Sequence, residues 1–466
     1  MLVNRFYYTF FVCLVAISSN ATAGDSFFDA LIGGKVDLNI RTRFEHVDDD
    51  SKASGSRDAD AVTIRTALGY KTADFYKMFT HVEFENVSDI LDDTQYNDGE
   101  NGLSSLPVIA DPRGTEVNQL YLGFKFIDKT LIKAGRQIIT TRKAPFHRFL
   151  GNVLWRQNWQ TQDAVTVTNT SIKDTELMAG YIWKNNTIFG SDRDMEAPIF
   201  NAKYNGFKYV NLEAYYYDLD FTETADLANA TETYGFRANG GVPVVNDKTK
   251  FIYTGEFASQ SDTGSNPRDY DVNYYLIEAG FKLKIDSFVK SVMVKYSHEV
   301  LEHDIGTLNA TGAASGAVFR TPLATGHAFQ GWADNFLTAP GTGSSTGGVE
   351  DNYFTMVATG NYDTKLIVSY HMLEAETGGY DYGDELDIWF TKNFLKKYSV
   401  GLKYAAYDAS SDAGNSKATD LSKYWVYFTY KYYFITIVYK IRNLIFIKSF
   451  DNPISSSKKN NFFFIH

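Results

Sequence analysis

Almost everywhere along this chain, apolar and polar residues alternate one for one. From Lys35 to Glu45 the even positions are Val36, Leu38, Ile40, Thr42 and Phe44, and the odd ones are Lys35, Asp37, Asn39, Arg41, Arg43 and Glu45. Only an extended strand, whose successive side chains point to opposite faces, separates two such sets. Val62, Ile64, Thr66, Leu68 and Tyr70 oppose Thr63, Arg65, Ala67, Gly69 and Lys71 in the same way. Met78, Thr80, Val82 and Phe84 then oppose Lys77, Phe79, His81, Glu83 and Glu85. Carried to the end, the alternation predicts about 18 strands, most of them about 8 to 14 residues long, the length a tilted strand needs to cross a bilayer. The later ones fall near 116–126, 130–140, 162–171, 175–184, 198–205, 207–218, 231–240, 249–260, 271–284, 288–301, 350–360, 364–375, 383–392, 398–408 and 420–432.

The connections decide the architecture. Ile127-Asp128-Lys129, Asn205-Gly206, Ile285-Asp286-Ser287 and Asn361-Tyr362-Asp363 read as tight turns. Between them lie long polar stretches at 48–60, 88–115, 141–161, 185–197, 219–230 and 302–349, with one medium-length break at 241–248. A soluble sandwich has no reason to alternate short and long connections. An all-β, up-and-down antiparallel transmembrane barrel does, with tight periplasmic turns, long external loops and both barrel ends in the periplasm. So many strands enclose a bore too wide for wall side chains to fill, which predicts a wet, polar lumen and an apolar face toward lipid. Tyr215-Tyr216-Tyr217, Tyr274-Tyr275 and the run from Tyr424 to Tyr433 suit interfacial girdles. The same tyrosines would also be good strand formers in a soluble sheet, a reading that carries less weight here.

Composition excludes other classes. Hydrophobic residues make up 44% of the 466 and the chain has no apolar run long enough for a membrane helix. A 16% aromatic share argues against disorder, and a net charge of −11 without a basic block argues against nucleic-acid binding. At the amino terminus, Arg5, the apolar run Phe6–Ile17 and Ala21-Thr22-Ala23 form a signal peptide over residues 1–23. It contains the one cysteine, Cys13, so residues 24–432, the expected barrel, hold no disulfide, thiolate metal site or cysteine nucleophile. Residues 433–466, with five basic side chains and one acidic, read as an atypical C-terminal extension beyond a final aromatic strand. Such an extension would hamper recognition by the barrel-assembly machinery.

Three stretches resemble the alginate-export family of outer-membrane channels. One runs from Ala134-Gly135-Arg136-Gln137 through Arg148-Phe149-Leu150-Gly151-Asn152-Val153 and Trp155-Arg156-Gln157-Asn158 to Gln160-Thr161-Gln162-Asp163-Ala164. The second is the whole segment from Arg320 to Asp334. The third comprises Tyr370-His371, Tyr382-Gly383-Asp384-Glu385-Leu386-Asp387 and Lys423-Tyr424-Trp425. The resemblance implies an 18-stranded barrel for solute passage.

Charges on the polar faces are the candidate pore residues: Arg41, Arg43, Arg65 and Lys77 on early strands, with Arg136 and Arg156 farther on. Guanidinium groups on a pore wall hold carboxylates bidentately. The same arginines could instead form a stabilising ladder with Asp37, Glu83 and Glu85. Arg136 shares parity with Ile132 and Ala134, so it and Arg156 could also fasten the 141–161 loop. That loop is basic (Arg142, Lys143, His147, Arg148, Arg156), as an anion collector or a lipopolysaccharide contact would be. The 302–349 connection is too long for a linker and reads as a constriction loop, with Arg320, His327, Gln330, Trp332 and Asp334 as its contacts.

Enzyme readings fail. No histidine stands two residues before a serine, no pair has helical metal spacing, and the acidic loops at 48–50 and 92–100 do not match a calcium loop. No cofactor and no metal are expected. The expected function is passive passage of small or oligomeric, anionic solutes such as sugar acids. The alternatives are an alginate-like polysaccharide exporter and a non-conducting adhesive or structural barrel.

Overall fold

The computed structural model describes residues 26–435, except 92, 145–146, 247, 286, 307, 310–315, 339–346 and 414. The expected signal peptide and residues 436–466 of the expected extension lie outside the described residues. Eighteen strands form one sheet. They are β1 (Lys35–Asp49), β2 (Asp58–Lys71), β3 (Met78–Asp89), β4 (Gly114–Phe124), β5 (Thr130–Gln137) and β6 (Thr161–Asn169). Next come β7 (Thr175–Asn186), β8 (Asp192–Tyr204), β9 (Val210–Phe221), β10 (Thr231–Asn246), β11 (Thr249–Asp262) and β12 (Asp271–Lys284). The series ends with β13 (Val289–Leu301), β14 (Val349–Gly360), β15 (Thr364–Glu374), β16 (Asp381–Phe394), β17 (Tyr398–Ala409) and β18 (Leu421–Ile435). Each strand pairs antiparallel with the next, and β18 pairs with β1 from Lys35↔Ile435 to Asp49↔Leu421, which closes the barrel. A closed sheet has no free edge, so every strand finds backbone partners on both sides.

Short and long connections alternate except around β7 and β8, where 170–174, 187–191 and 205–209 are all five residues long. The expected break at 241–248 is absent, because β10 continues to Asn246 and turns at once into β11. Pro243, which argues against a strand interior, sits beside a register shift between Pro243 and Asn246 that absorbs its missing N–H. The long loop expected at 185–197 shrinks to residues 187–191, since β7 and β8 both extend into it. β18 likewise runs three residues past the expected barrel end at 432, to Ile435.

Several tight turns put non-glycine residues in the left-handed region, at φ 46° and 62° for Tyr76-Lys77, 60° and 54° for Tyr362-Asp363, and 53° and 56° for Leu395-Lys396. Paired positive φ values give the turn whose twist matches that of the flanking strands. Lys77 therefore lies exposed in a turn and not on the pore wall as its alternation predicted, because β3 begins only at Met78. A short helix, α1 (Phe27–Ile32), capped by Ser26, packs at this end, with Phe27 edge-on to Phe75 at 5.7 Å.

The outward positions carry an apolar belt that includes Leu68, Phe84, Phe200, Phe236, Phe354 and Val426. On β4 the two faces differ sharply: Leu120 is 51% exposed and its neighbour Tyr121 is 7% exposed. An outer surface this apolar, wrapped around a closed barrel, is a lipid-facing surface. Ile277, at the middle of β12 and 63% exposed, tests it. Arginine there should cost about 2–4 kcal/mol of folding free energy in lipid bilayers. Denaturant titration in liposomes measures this, and an unchanged stability would place that face in water.

Candidate functional site

The described parts of two long connections fold into the bore, one between β5 and β6 (138–160) and one between β13 and β14 (302–348). They meet through a parallel bridge between Leu150 and Leu323. Gly151 N donates to Leu323 O at 2.9 Å and Thr325 N to His147 O at 3.0 Å. Gln160 Nε2 reaches both Gly151 O at 2.8 Å and Leu323 O at 3.2 Å. Aromatic contacts then seat the pair on the wall. Phe149 packs on Tyr215 at 4.9 Å and Tyr274 at 5.8 Å, and Phe336 on Tyr382 at 5.3 Å. At this level each strand presents a buried lumen-facing residue, from Arg43 on β1 through Ile182, Ala258 and Asp351 to Trp425 on β18. The wet bore expected from strand count is thus filled here by loops.

Charges on the wall meet polar groups of these loops. Arg41 Nε donates to Gln157 Oε1 at 2.8 Å, its Nη1 to Leu154 O at 2.8 Å, and its Nη2 to Arg156 O. Arg43 donates to Trp155 O at 2.5 Å and pairs with Glu45 at 2.9 Å and with Asp111. Arg65 pairs with Glu85 and lies 3.8 Å over the Trp159 ring, while Glu85 also accepts from Trp159 N at 2.9 Å. Farther round, Glu299 takes Arg148 at 3.1 Å and Gln330 Nε2 at 2.6 Å. Glu385 accepts from Ala333 N at 2.6 Å, and Asp387 from Trp332 N at 3.2 Å. Arg142 bridges Glu213 at 3.0 Å and Glu256 at 2.5 Å. Arg156 ties wall to both loops, 3.1 Å from Glu45 and 3.2 Å from Asp334. Burial alone lowers the pKa of Arg156, but Glu45, Asp111 and Asp334 outweigh it and raise the group above the ordinary arginine value.

Arg41, Arg43 and Arg65 do stand on the lumen face, but each is already engaged by protein groups, with Arg43 Nε a donor left without a hydrogen bond among the described residues. They fasten the loops, an arrangement closer to the structural ladder than to an anion filter. Arg136 does not line the pore. Register pairs it with the outward Leu120, and it binds Asp163 at 2.8 Å and Asp192 at 3.1 Å on the outer rim. The basic 141–161 segment faces inward, with Arg142, Arg148 and Arg156 neutralised by wall and loop carboxylates, so those three are out of reach of lipopolysaccharide phosphates. His327, Gln330 and Trp332 are buried within the bore, as is the side chain of Asp334. Arg320 lies higher, in a recess with Phe319, Pro322 and Leu337, and its guanidinium bonds Asn229 Oδ1 at 3.1 Å. Among the described residues no carboxylate pairs with it, and burial together with Arg268 lowers its pKa.

Residues that sequence reasoning did not single out stand below the loops. Lys71, Lys133, Lys250, Lys282, Lys365 and Lys431 share lumen parity on β2, β5, β11, β12, β15 and β18, all near the short-turn end. Lys71 lies 4.1 Å over the Phe79 ring and Lys133 4.9 Å over Tyr121, and among the described residues none of the six forms an ion pair. The detectable signal was a lysine recurring near the short-turn end of a strand, on the polar parity.

No family model matches the chain, and no curated protein matches it. Solved structures do. OpdK of Pseudomonas aeruginosa, an outer-membrane protein solved with vanillate, is 11% identical over 87% of this chain and 100% of its own, with a TM-score of 0.62. OccAB2 of Acinetobacter baumannii is 16% identical over 87% of this chain and 99% of its own, at 0.61. OpdQ of Pseudomonas aeruginosa is 12% identical over 86% and 99%, at 0.60. The likeness is one of fold, the closed 18-stranded barrel of the outer-membrane porins. None of these matches points to the alginate-export family.

Because Arg156 spans two buried carboxylates, its loss strands both. Arg156→Ala should lower unfolding free energy by about 3–5 kcal/mol, against about 0.5 kcal/mol or less for Lys77→Ala in the exposed turn. Equal small losses in denaturant titrations would mean that the 138–160 loop is not held in the bore.

Proposed function

We propose that this chain is an outer-membrane channel for passive passage of small anionic solutes, sugar acids among them. The six lysines of the short-turn half, which form no ion pair among the described residues, carry the proposal. In the loop-filled half, the wall and loop arginines each pair with a carboxylate or donate to loop carbonyls and amides. In the other half, positive charge faces a low-dielectric, water-containing lumen, where field lines are focused and anions are concentrated. Two lumen acids flank Gly69 at this level: Asp37 lies against it, and Glu83 accepts from Asn118 and Gln119. The likeness in fold to the porins adds support, as does the apolar belt, which suits outer-membrane lipid. The outer-rim charges around Arg136 lie where lipopolysaccharide headgroups would contact them. The aromatic β18 is the segment that the barrel-assembly machinery would read.

The stretches resembling the alginate-export family coincide with the inward loops, residues 148–158 and 320–334. Passage of a polymer would require both loops to leave the bore. A second reading, a non-conducting adhesive barrel, is favoured by the loop-covered wall.

Planar-bilayer recordings under a salt gradient test the channel. The account predicts anion selectivity. Replacing Lys71, Lys133, Lys282 and Lys365 together by glutamate should shift the anion-to-cation permeability ratio about tenfold toward cations, the scale of a few unit charges at about 8 Å in water. Arg41→Ala should leave the sign of selectivity unchanged. Cation selectivity in the wild type would contradict the proposal.

A further inference from the structure

One lysine at the centre of the bore holds both inward loops. Lys403, on β17 and buried, has Nζ 4.1 Å from the Trp155 ring of one loop and 3.9 Å from the Trp332 ring of the other. Trp389 and Trp425 of the wall complete the cage at 5.4 and 5.3 Å. The ammonium also contacts His327 Nε2. The His327 ring lies flat on Trp155, 4.1 Å away with an interplanar angle of 3°, and its Nδ1 is 2.5 Å from Asp334 Oδ1.

With Lys403 as an ammonium, which only donates, Nε2 accepts and Nδ1 carries the hydrogen that Asp334 takes. A second proton on His327 would remove the acceptor and set imidazolium against ammonium in a buried site. Asp334 cannot absorb the added charge alone, because Arg156 at 3.2 Å and Lys423 at 3.4 Å already share it. The other charged groups around the cage are Glu385 and Asp387 on β16, which accept loop N–H groups, Glu45 on β1, which holds Arg156, and Arg43 on β1, 5.2 Å over the Trp155 ring.

We propose that His327 is an acid-sensitive latch of the bore. Neutral, it clasps Lys403 and keeps both loops against the wall; protonated, it expels Lys403 and the loops swing outward, opening the lumen as external pH falls.

The linkage has the required sign. Burial lowers the pKa of latched His327 well below its usual value; Asp334 opposes this, and Lys403 and Arg156 reinforce it. The latched state therefore binds fewer protons than the released one, where the free value is about 6.5. Its advantage is complete above that pH and falls by up to about tenfold per unit below it. His147, 3.2 Å from Thr325 Oγ1 between the loops, is the competing sensor. His371, between Asp351 at 2.8 Å and Asp387 at 3.5 Å, gains favourable pairing on protonation and releases nothing.

Channel opening rests on the proposed function, so the test reads loop position. Ala405, lumen-facing and buried behind the loops, is replaced by cysteine in a Cys13→Ser background, with Lys365→Cys as the freely accessible reference. In proteoliposomes, the labelling rate of Ala405→Cys relative to Lys365→Cys with a membrane-impermeant thiol reagent should rise about tenfold or more from pH 7.5 to pH 5.0. It should stay flat in His327→Gln and rise normally in His147→Gln. Lys403→Gln, a second route if His327→Gln does not fold, should label faster at pH 7.5 and lose the pH response. No rise in the wild type, or an intact rise in either His327→Gln or Lys403→Gln, overturns the latch. A rise in labelling without conductance at either pH upholds the latch and overturns the channel reading.

Discussion

Everything inside this barrel depends on how buried charge is compensated. Eighteen strands make a bore that wall side chains cannot fill, and the wall carries Arg43, Arg65, Glu85, Glu299, Glu385 and Asp387 facing inward. Left dry and unpaired, each charge would cost several kcal/mol. The inward loops supply the missing partners, largely from their own backbone: Trp159 N for Glu85, Trp332 N for Asp387, Ala333 N for Glu385, and the Trp155 carbonyl for Arg43. The wall specifies where each loop sits, and the loops make the wall charges tolerable.

The compensation is uneven along the bore, and that unevenness joins structure to transport. Toward the long loops, cations meet anions or peptide dipoles and little net field remains. Toward the short turns, lysines face one another, as Lys250 faces Lys282 directly across β11 and β12. Such a pair is tolerated only where water or mobile anions screen it. In the proposed reading, a packed outer half above a cationic inner half would act as a gate above an anion-collecting vestibule. Lys403 and His327 stand where the two loops and the wall converge, the position from which one proton reaches all three.

Much of the wall was legible from alternation. Arg41, Arg43 and Arg65 fall on the lumen face because their strands are regular and the period is two. Local exceptions hid the rest. Lys77 continues the alternation numerically but sits in a left-handed turn that the pattern cannot register. Pro243 disguised the end of β10, and Arg136 is outward, as its parity with Ile132 and Ala134 implied. The loop contacts were beyond reach for a different reason. Arg156 and Glu45 lie 111 residues apart, Gln330 and Glu299 on different elements, and Lys403 and His327 are 76 apart. No periodicity links such positions, because folding of the loops into a closed barrel is what brings them together. The basic 141–161 segment read as surface for the same reason: its charge was visible and its partners were not.

Amide hydrogen exchange on the barrel in lipid tests the central claim most directly. If the loops are clamped in the bore, the amides of Gln157, Trp159, Trp332 and Ala333, which donate to buried carboxylates, should exchange as slowly as those of the flanking strands. Amides of the external 50–57 and 410–420 connections should exchange far faster. Exchange of the 150–160 and 323–334 segments at the rate of those external connections would contradict the account, because the wall charges would then have to be compensated by water in an open bore.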